Sequence, residues 1–366
     1  MLAAYISGHG FGHATRTAEV LRAFRALAPG TPVAVVTTAP ERLFAAIGEP
    51  LVYRRVQCDV GLAQKGALVI DEDETAERYR HFAADRASRV AGEAEWLRSA
   101  GVRLVLGDIP PLAFEAAASA GLPGVGLGNF SWDWIYRHYG ARHPVLAAAA
   151  DDAAAAYSRA TLLFELPFTG DMSAFPRRER IPLVARRSTV APHEARRRLE
   201  LPGRPAVLLS FGGIGLAGFD PRVLAGLEGY VFLMTRDVGT GALPQNARVI
   251  EEEALDSAGV AYHELVASAD VVVTKPGYGI LADAIAGRTR MLYTERGDFP
   301  EYPVLVREMP RHLPCRHVSN EDLMSGRLEA ALAEVLAVPL PPPADVSGAE
   351  VAARRLVELA GAGRAA

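Results

Sequence analysis

A short apolar run at the amino terminus leads directly into a glycine-rich turn. Leu2–Ile6 has the composition of a buried strand, and the next residues read Ser-Gly-His-Gly-Phe-Gly-His-Ala-Thr-Arg before a helical pattern begins. Glycines at alternate positions remove side chains where the backbone turns sharply or approaches a ligand. The helix that follows offers free N–H groups and the positive end of its dipole. This order of strand, turn and helix predicts a site for an anion or a sugar phosphate.

The spacing of the turn differs from two common nucleotide-binding motifs. It matches neither the dinucleotide fingerprint nor a P-loop, since no Lys-Ser or Lys-Thr pair follows the glycines. The turn instead places His13 where the helix begins, and a histidine beside a bound phosphate is suited to general base catalysis. We therefore predict His13 as the catalytic base. The alternatives are that His13 only supports the loop, or that His9 takes its role.

The composition limits the kinds of molecule that this protein is expected to bind. The 366 residues carry a net charge of −4 and are 50% hydrophobic, which is typical of a folded protein without a broad basic surface. Nucleic acid is therefore not expected as a partner. Cys58 and Cys315 lie far apart without metal-ligand spacing, so no metal or other cofactor is predicted. The sequence lacks a signal-peptide pattern and a long apolar span, so we expect a cytoplasmic protein without an integral membrane segment.

Strand-like apolar runs alternate with helical patterns along the whole chain, which predicts two successive doubly wound α/β domains with parallel sheets. The charged stretch 71–100 predicts one long or broken helix. A proline-punctuated stretch then predicts a linker, and a proline-rich break precedes the last helix. The predicted boundaries are a first Rossmann-like domain at 1–165, a linker at 166–187, a second Rossmann-like domain at 188–345 and a C-terminal helix at 346–366 that can pack back on the first domain.

The second half contains two further strand-to-glycine turns. Ser210 is followed by Phe-Gly-Gly, and the strand at 271–273 is followed by Thr-Lys-Pro-Gly-Tyr-Gly and a helix that contains Asp283. A helix start can face phosphate while a carboxylate further along accepts hydrogen bonds from ribose hydroxyls. This arrangement predicts a nucleotide site. Tight turning alone is the alternative for each glycine pair.

These turns resemble the donor-binding domain of GT-B glycosyltransferases, in particular the family 28 type that includes the N-acetylglucosaminyltransferase of peptidoglycan synthesis. The segments that match are Ser210–Gly213 and Thr274–Asp283, although the acidic residue here is Asp where Glu is usual. The resemblance implies a GT-B fold of two Rossmann-like domains facing a cleft. It also implies a nucleotide-sugar donor held mainly by the second domain, and no obligatory metal.

The opening motif resembles more specifically the glycosyltransferase-like front domain of plant L-arabinokinases. That similarity continues through Asn129–Tyr136, Ile181–Arg187 and Lys275–Gly279 and covers nearly the whole chain. The kinase activity of those proteins belongs to a separate sugar-kinase domain of the GHMP type, and the sequence contains no kinase phosphate loop. The Gly-x-Gly-His loop is also similar to that of the UDP-sugar hydrolase of pseudaminic acid synthesis.

Candidate roles for individual residues follow from the resemblance and from the rule that ligands bind at the carboxyl ends of parallel strands. Asp108 follows a strand and is predicted to orient His13 or bind the acceptor, with helix capping as the alternative. The predicted acceptor-binding residues are His9, Arg16, Asn129, Trp132 and Asp133, although Arg16 could be solvated and the aromatic segment could form a hinge or a dimer contact. The predicted donor-binding residues are Gly10, Gly12, Gly212, Gly213, Lys275, Gly277, Tyr278, Gly279, Asp283, Asp298 and Glu301.

The sequence thus predicts a glycosyltransferase that moves a hexosyl or pentosyl group from a nucleotide-activated donor, with UDP favoured, to an unidentified acceptor. One alternative is a nucleotide-sugar hydrolase on the same scaffold. Another is a non-catalytic sugar-nucleotide-binding protein that associates with a sugar kinase. The sugar, the acceptor, the stereochemical outcome and the oligomeric state are left open by the sequence.

Overall fold

The computed structural model describes residues 1–66, 69–212, 215–236, 238 and 241–362. It contains two large parallel sheets, one from each half of the chain, and helices that cover them. The strands of the first half are β1 Leu2–Ile6, β2 Val33–Thr37, β3 Leu51–Arg55, β4 Ala63–Gln64, β5 Ile70–Asp71, β6 Leu104–Asp108, β7 Gly124–Gly128, β8 Leu162–Glu165 and β9 Arg178–Arg180.

The first sheet has seven strands in the order β3-β2-β1-β6-β7-β8-β9, and every neighbouring pair is parallel. β4 and β5 form a separate antiparallel hairpin. The side chains of β1, β2, β6 and β7 are all buried, because helices cover both faces of the sheet. The helices of this half are α1 Phe11–Leu27, α2 Glu72–Ala84, α3 Arg86–Ser99, α4 Pro111–Ala120, α5 Trp132–Tyr139 and α6 Pro144–Tyr157, with a 3-10 helix at Glu41–Ile47.

The second sheet is built in the same way. Its strands are β10 Ala206–Leu209, β11 Val231–Met234, β12 Ala247–Val249, β13 Val271–Thr274, β14 Arg290–Tyr293 and β15 Cys315–His317. They lie in the order β12-β11-β10-β13-β14-β15, again all parallel. The helices are α7 Pro192–Arg198, α8 Glu252–Ala258, α9 Tyr262–Ser268, α10 Tyr278–Gly287, α11 Glu301–Glu308, α12 Asn320–Ser325, α13 Glu329–Ala337 and α14 Gly348–Ala362, with 3-10 helices at Pro221–Leu224 and Met309–Arg311.

In three segments the structure adds detail to what the sequence predicts. The stretch 71–100 forms two helices, α2 and α3, with Asp85 between them. The segment 166–187, predicted as a linker, also supplies β9 at the edge of the first sheet, where it pairs with β8. The C-terminal α14 packs against α1 of the first half, and a bridge between Val184 and Ser347 fixes its start.

The strand order places one crevice in each sheet. β1 lies between β2 and β6, so the chain leaves the carboxyl ends of β1 and β6 in opposite directions around the sheet. β10 takes the corresponding place between β11 and β13 in the second sheet. In open parallel sheets such reversals leave a crevice where ligands bind. The glycine-rich turn after β1 and Asp108 at the end of β6 meet at the first crevice.

Candidate active site

His13 and Asp108 form a buried hydrogen-bonded pair at the first crevice. His13 lies in the first turn of α1, and its Nδ1 is 2.7 Å from Asp108 Oδ1. Arg16 Nη2 also lies 3.1 Å from this Nδ1, but its shorter hydrogen bond is to Asp108 Oδ1. We therefore assign the proton of the neutral ring to Nδ1, where it is donated to the carboxylate, and the lone pair to Nε2. The sequence signals for this pair were the position of His13 at the start of the helix after the glycine-rich turn and the position of Asp108 at the end of a strand. This geometry is that of a base whose tautomer is fixed by a carboxylate.

Arg16 binds the same carboxylate one helical turn further along α1. Its Nε donates to Asp108 Oδ2 at 2.7 Å and its Nη2 to Oδ1 at 2.5 Å, while the Thr17 hydroxyl donates to Oδ2 at 2.6 Å. Burial opposes ionisation of Asp108, but the charges and hydrogen bonds of Arg16 and His13 outweigh it and lower its pKa to about 2. Asp108 is therefore a fixed anion at neutral pH, and Arg16 is buried and not solvated.

Asn129 connects this cluster to the second half of the chain. Its Oδ1 accepts a hydrogen bond from Arg16 Nη1 at 2.8 Å, and its Nδ2 donates to Glu301 Oε1 at 2.7 Å. The other oxygen of Glu301 accepts from Arg296 Nη1, also at 2.7 Å. Asn129 is fully buried and Glu301 nearly so. A continuous set of hydrogen bonds therefore runs from the second domain to the carboxylate that holds His13.

The start of α10 also meets the glycine-rich turn. A side-chain carbon placed on Gly279 would lie 3.1 Å from the Cα of Gly12, so glycine at both positions lets the two helix starts approach closely. The guanidinium of Arg16 lies 4.9 Å from the centre of the Tyr278 ring, and the Tyr278 hydroxyl donates to the carbonyl of Val184. The turns after β1 and β13 are thus brought together.

A second histidine–aspartate pair lies beside the first. His9 Nε2 is 3.1 Å from Asp59 Oδ1, and the other oxygen of Asp59 accepts hydrogen bonds from the Ser7 hydroxyl and from Trp132 Nε1. Burial disfavours both charges, but the close ion pair outweighs it, so the pKa of Asp59 is lowered and that of His9 is raised. Asp59 was missed by the sequence analysis, because the segment after β3 carries no glycine motif and no regular period.

The aromatic segment around Asn129 supports these pairs from inside the protein. Phe130 packs edge to face against His13 at 5.4 Å, and Trp132 packs edge to face against His9 at 6.3 Å. Both rings are buried, as is Asp133, whose pKa is raised by that burial. Trp132 therefore holds Asp59 and His9 in place rather than presenting an open ring face. Among the residues that the structure describes, no hydrogen bond or ion pair joins Asp133 to His13 or Asp108.

Lys275 lies where the two domains meet, close to Arg296. Its Nζ donates to Gln64 Oε1 of the β4–β5 hairpin at 3.3 Å. Burial, together with the positive charge of Arg296, lowers the pKa of Lys275 to about 8. Gly277 is the residue before α10, and a side chain there would approach Arg296. These groups surround the N-terminal end of α10, a position where positive charge and free N–H groups favour an anion.

The other predicted donor residues have partners or backbone conformations of their own. Both carboxylate oxygens of buried Asp283 bind Arg186, whose guanidinium lies 5.7 Å from the Tyr262 ring. Asp298 pairs with His138 at 2.6 Å and with Arg142 at 2.8 Å on the exposed rim. Gly10 and Gly212 adopt positive φ values of 79° and 75° in the turns after β1 and β10. Gly213 lies outside the described residues.

The described residues show neither a metal-binding cluster nor a membrane-spanning helix. Within the described ranges, no group of three or more His, Cys, Asp or Glu side chains is arranged to hold a metal ion. None of the helices that the structure describes is long and apolar enough to cross a membrane.

Solved glycosyltransferases share this architecture. The kitacinnamycin glycotransferase superposes with a TM-score of 0.60 at 20% identity, covering 100% of this chain and 95% of that one. SnogD from Streptomyces nogalater gives 0.56 at 23% identity over 99% of both chains. UGT2 from Phytolacca americana, solved with UDP-2-fluoroglucose and pterostilbene, gives 0.61 at 13% identity, covering 99% and 94%. The chain therefore has the GT-B fold, with two Rossmann-like domains, as the sequence predicted.

A curated relative matches almost the whole chain. L-arabinokinase from Arabidopsis thaliana is 33% identical over 370 residues, which covers 98% of this chain. The similarity to an L-arabinokinase that the motifs predicted is thereby confirmed. The chain spans only 34% of the length of that relative. No family model matches the sequence.

Proposed function

We propose that this protein is a glycosyltransferase that moves a sugar from a nucleotide-activated donor, with a UDP-sugar favoured, to a hydroxyl group of an acceptor. The observation that carries the proposal is the His13–Asp108 pair, which lies at the crevice of the first sheet of a GT-B fold. The start of α10 from the second domain meets the same turn. A ligand held there would contact both domains.

In the proposed reaction His13 acts as the general base. Its Nε2 accepts the proton of the acceptor hydroxyl as that oxygen forms a bond to the anomeric carbon of the donor sugar. The bond between this carbon and the diphosphate oxygen breaks, and the nucleoside diphosphate leaves with the electron pair. Asp108 keeps the Nδ1–H tautomer and stabilises the imidazolium that forms. The imidazolium then releases its proton to water.

The remaining residues are proposed to bind the two substrates. Arg16 holds Asp108 in place and balances its charge, so it is a positioning residue. Lys275 and the N-terminal end of α10 are proposed to stabilise the departing diphosphate without a metal, as preorganised positive groups do. Asp298 on the exposed rim is proposed to face the donor sugar, and Glu301, whose two oxygens bind Asn129 and Arg296, is proposed to position the groups around that sugar. Asp283, already bound by Arg186, is proposed to shape the nucleotide pocket as part of that ion pair.

The similarity to L-arabinokinase concerns only part of that protein. The chain corresponds to about a third of that relative. We propose that the shared part is the glycosyltransferase-like portion, and that kinase activity is not a property of this chain. An association with a sugar kinase is a separate proposal that rests on the same similarity.

The experiment measures nucleoside diphosphate release from UDP-, GDP- and dTDP-sugars, each with and without a mixture of hydroxyl-bearing acceptors. Release that requires an acceptor supports the transferase. Release of equal rate without any acceptor would identify a hydrolase instead. Saturable binding of a nucleotide sugar without release under any condition would contradict an enzyme and identify a binding protein. Adding ATP and free sugars to the same assay tests for kinase activity, which we expect to be absent.

A further inference from the structure

Tyr278 is the first residue of α10, and its side chain is buried where the second domain meets the first. Only 5% of its surface is exposed. Its hydroxyl accepts a hydrogen bond from the backbone N–H of Val184 at 3.1 Å and donates to the carbonyl oxygen of the same residue at 3.4 Å. Val184 belongs to the segment that joins the two domains. The phenol is therefore fixed at its tip by that segment, and the ring is held in one place.

The ring of Tyr278 lies against the guanidinium of Arg16 in the first domain. The central carbon of that guanidinium is 4.9 Å from the centre of the ring, which is within the range of a cation–π contact. Arg16 is itself buried, and its N–H groups donate to Asp108 and Asn129 of the first domain. Tyr278 thus brings the second domain into direct contact with the cation that binds the Asp108 carboxylate.

The position of Arg16 determines which nitrogen of His13 carries the proton. Asp108 Oδ1 lies 2.7 Å from His13 Nδ1 and 2.5 Å from Arg16 Nη2, and these two nitrogens are 3.1 Å apart. While Arg16 donates to the carboxylate, Nδ1 keeps its own proton and donates to the same oxygen. If Arg16 moved towards the imidazole, it would donate to Nδ1, and the proton of the neutral ring would sit on Nε2. That ring has no lone pair on Nε2 and cannot act as the base there.

We infer that Tyr278 is a positioning residue whose ring keeps Arg16 on Asp108 and thereby maintains the Nδ1–H tautomer of His13. This inference rests on the proposed function, since it takes His13 as the base. In this role Tyr278 acts on the base rather than on the nucleotide sugar, to which the sequence analysis assigned it. Because Tyr278 begins α10, the tautomer of the base depends on the second domain being in place at the crevice.

The test reads the tautomer directly, so that it does not depend on turnover. Long-range proton–nitrogen NMR is recorded on the full chain with isotope-labelled histidine, at about pH 9, well above the ordinary pKa of histidine. The signals of His13 are identified by their loss in His13→Ala. We expect the proton on Nδ1 in the wild type. Tyr278→Phe keeps the ring and should retain this tautomer, whereas Tyr278→Leu should move the proton to Nε2 in part of the population.

Phe232→Leu is the matched control for the loss of a buried aromatic ring. Phe232 is fully buried in β11 of the second sheet. Its replacement should lower the stability of the second domain and leave the His13 tautomer unchanged. Tyr278→Met fills more of the space with a flexible side chain, and it replaces Tyr278→Leu if that variant does not fold. It should give the same shift of the proton, because it also lacks the aromatic face.

Turnover assays provide a second measurement. Tyr278→Leu should lower kcat about tenfold, because a buried cation–π contact no longer holds Arg16. Tyr278→Phe should keep kcat within about threefold of the wild type. A Nδ1–H signal that Tyr278→Leu leaves intact overturns the inference. An intact signal together with a raised KM for the nucleotide sugar would place Tyr278 at the donor instead.

The outcomes separate this inference from the proposed function. A His13 tautomer that depends on the Tyr278 ring, in a protein that turns over no nucleotide sugar, supports the positioning of His13 by Tyr278 and contradicts the transferase. Turnover that requires His13 and is unaffected by Tyr278→Leu supports the transferase and overturns the inference. A wild-type ring that carries its proton on Nε2 also overturns the inference, whatever the rate of turnover.

Discussion

Asn129 donates a hydrogen bond from Nδ2 to Glu301 Oε1 at 2.7 Å, and this contact joins the two domains next to the proposed base. The two residues are 172 positions apart in the chain and both are buried. The oxygen of the same amide accepts from Arg16, which holds Asp108. One side chain therefore links the approach of the second domain to the orientation of His13.

Removing this amide should destabilise the contact between the domains. Asn129→Ala leaves a buried acceptor on Glu301 and a buried donor on Arg16 without a partner, which costs about 1–3 kcal/mol. A double-mutant cycle with Glu301→Gln should give a coupling energy of about 0.5–3 kcal/mol in the free energy of unfolding, measured in urea. Two independent effects that simply add would contradict the link.

The ion pair between Arg42 and Glu252 is a natural control for that cycle. It also joins the two halves of the chain, at 2.9 Å, but both side chains are more than half exposed. Water screens such a pair, so its coupling energy should be at most about 1 kcal/mol. We expect the buried contact to exceed the exposed one.

Replacing Gly61 should disturb His9 without altering its chemistry. In Gly61→Ala the new methyl group would collide with the His9 ring, and the positive φ of 63° adds strain. We expect an acceptor KM raised about tenfold or more, since about 1.4 kcal/mol corresponds to a factor of ten. Gly66→Ala, at a φ of 73° with open space around it, is the control for strain alone. Equal effects of the two variants would argue against a role for His9.

The pH dependence of kcat/KM for the donor should follow the ionisation of Lys275. Its pKa of about 8 means that the free protein loses this positive charge as the pH rises through that value. If Lys275 binds the diphosphate, kcat/KM for the donor should fall above about pH 8, because kcat/KM follows the ionisation of the free enzyme. Lys275→Arg should remove this decline, since arginine stays charged. A decline that persists unchanged in Lys275→Arg would exclude Lys275 as its source.

The ionised Asp108 should stabilise the folded protein, and this contribution to the free energy of unfolding should be lost at low pH. Its pKa is lowered from 3.8 to about 2 on folding, so the contribution is fully present above the unfolded value and is lost as the pH falls through about 2. Asp108→Asn should be destabilised most at neutral pH, by about 3–5 kcal/mol as for a broken buried ion pair. The difference from the wild type should shrink between pH 4 and pH 2. Urea unfolding across that range measures it, and a constant difference would contradict the assignment.

Much of the fold and several neighbours of the site could be predicted from strand ends alone. His13 lies in the turn and helix start after β1, Asp108 is the last residue of β6, and parallel strands bring their carboxyl ends to one edge. Asn129 follows β7 and lies at the same edge for the same reason. The glycine-rich turns signalled close backbone approach, and Gly12 does meet Gly279. These features depend on local sequence and on a topology that the alternation of elements implies.

Other features depend on contacts that no local pattern reveals. Asp59 lies outside any motif, and its role arises only because His9 and Trp132 fold against it. The strand β9 has the sequence Arg-Glu-Arg and is visible only through its pairing with β8. The partner of Asp283 is Arg186, nearly a hundred residues earlier in the chain. Such pairs depend on how distant parts of the chain fold against each other, and for Asp283 on a partner in the segment between the two domains.

The most direct test of the account is the rate of nucleoside diphosphate release by His13→Ala, measured with the best donor of the panel and its acceptor. We predict a rate about 10²–10⁴-fold below the wild type, with an unchanged circular dichroism spectrum. His193→Ala, which removes an exposed histidine of α7, should keep the wild-type rate. A rate for His13→Ala within about twofold of the wild type would contradict the assignment of His13 as the catalytic base.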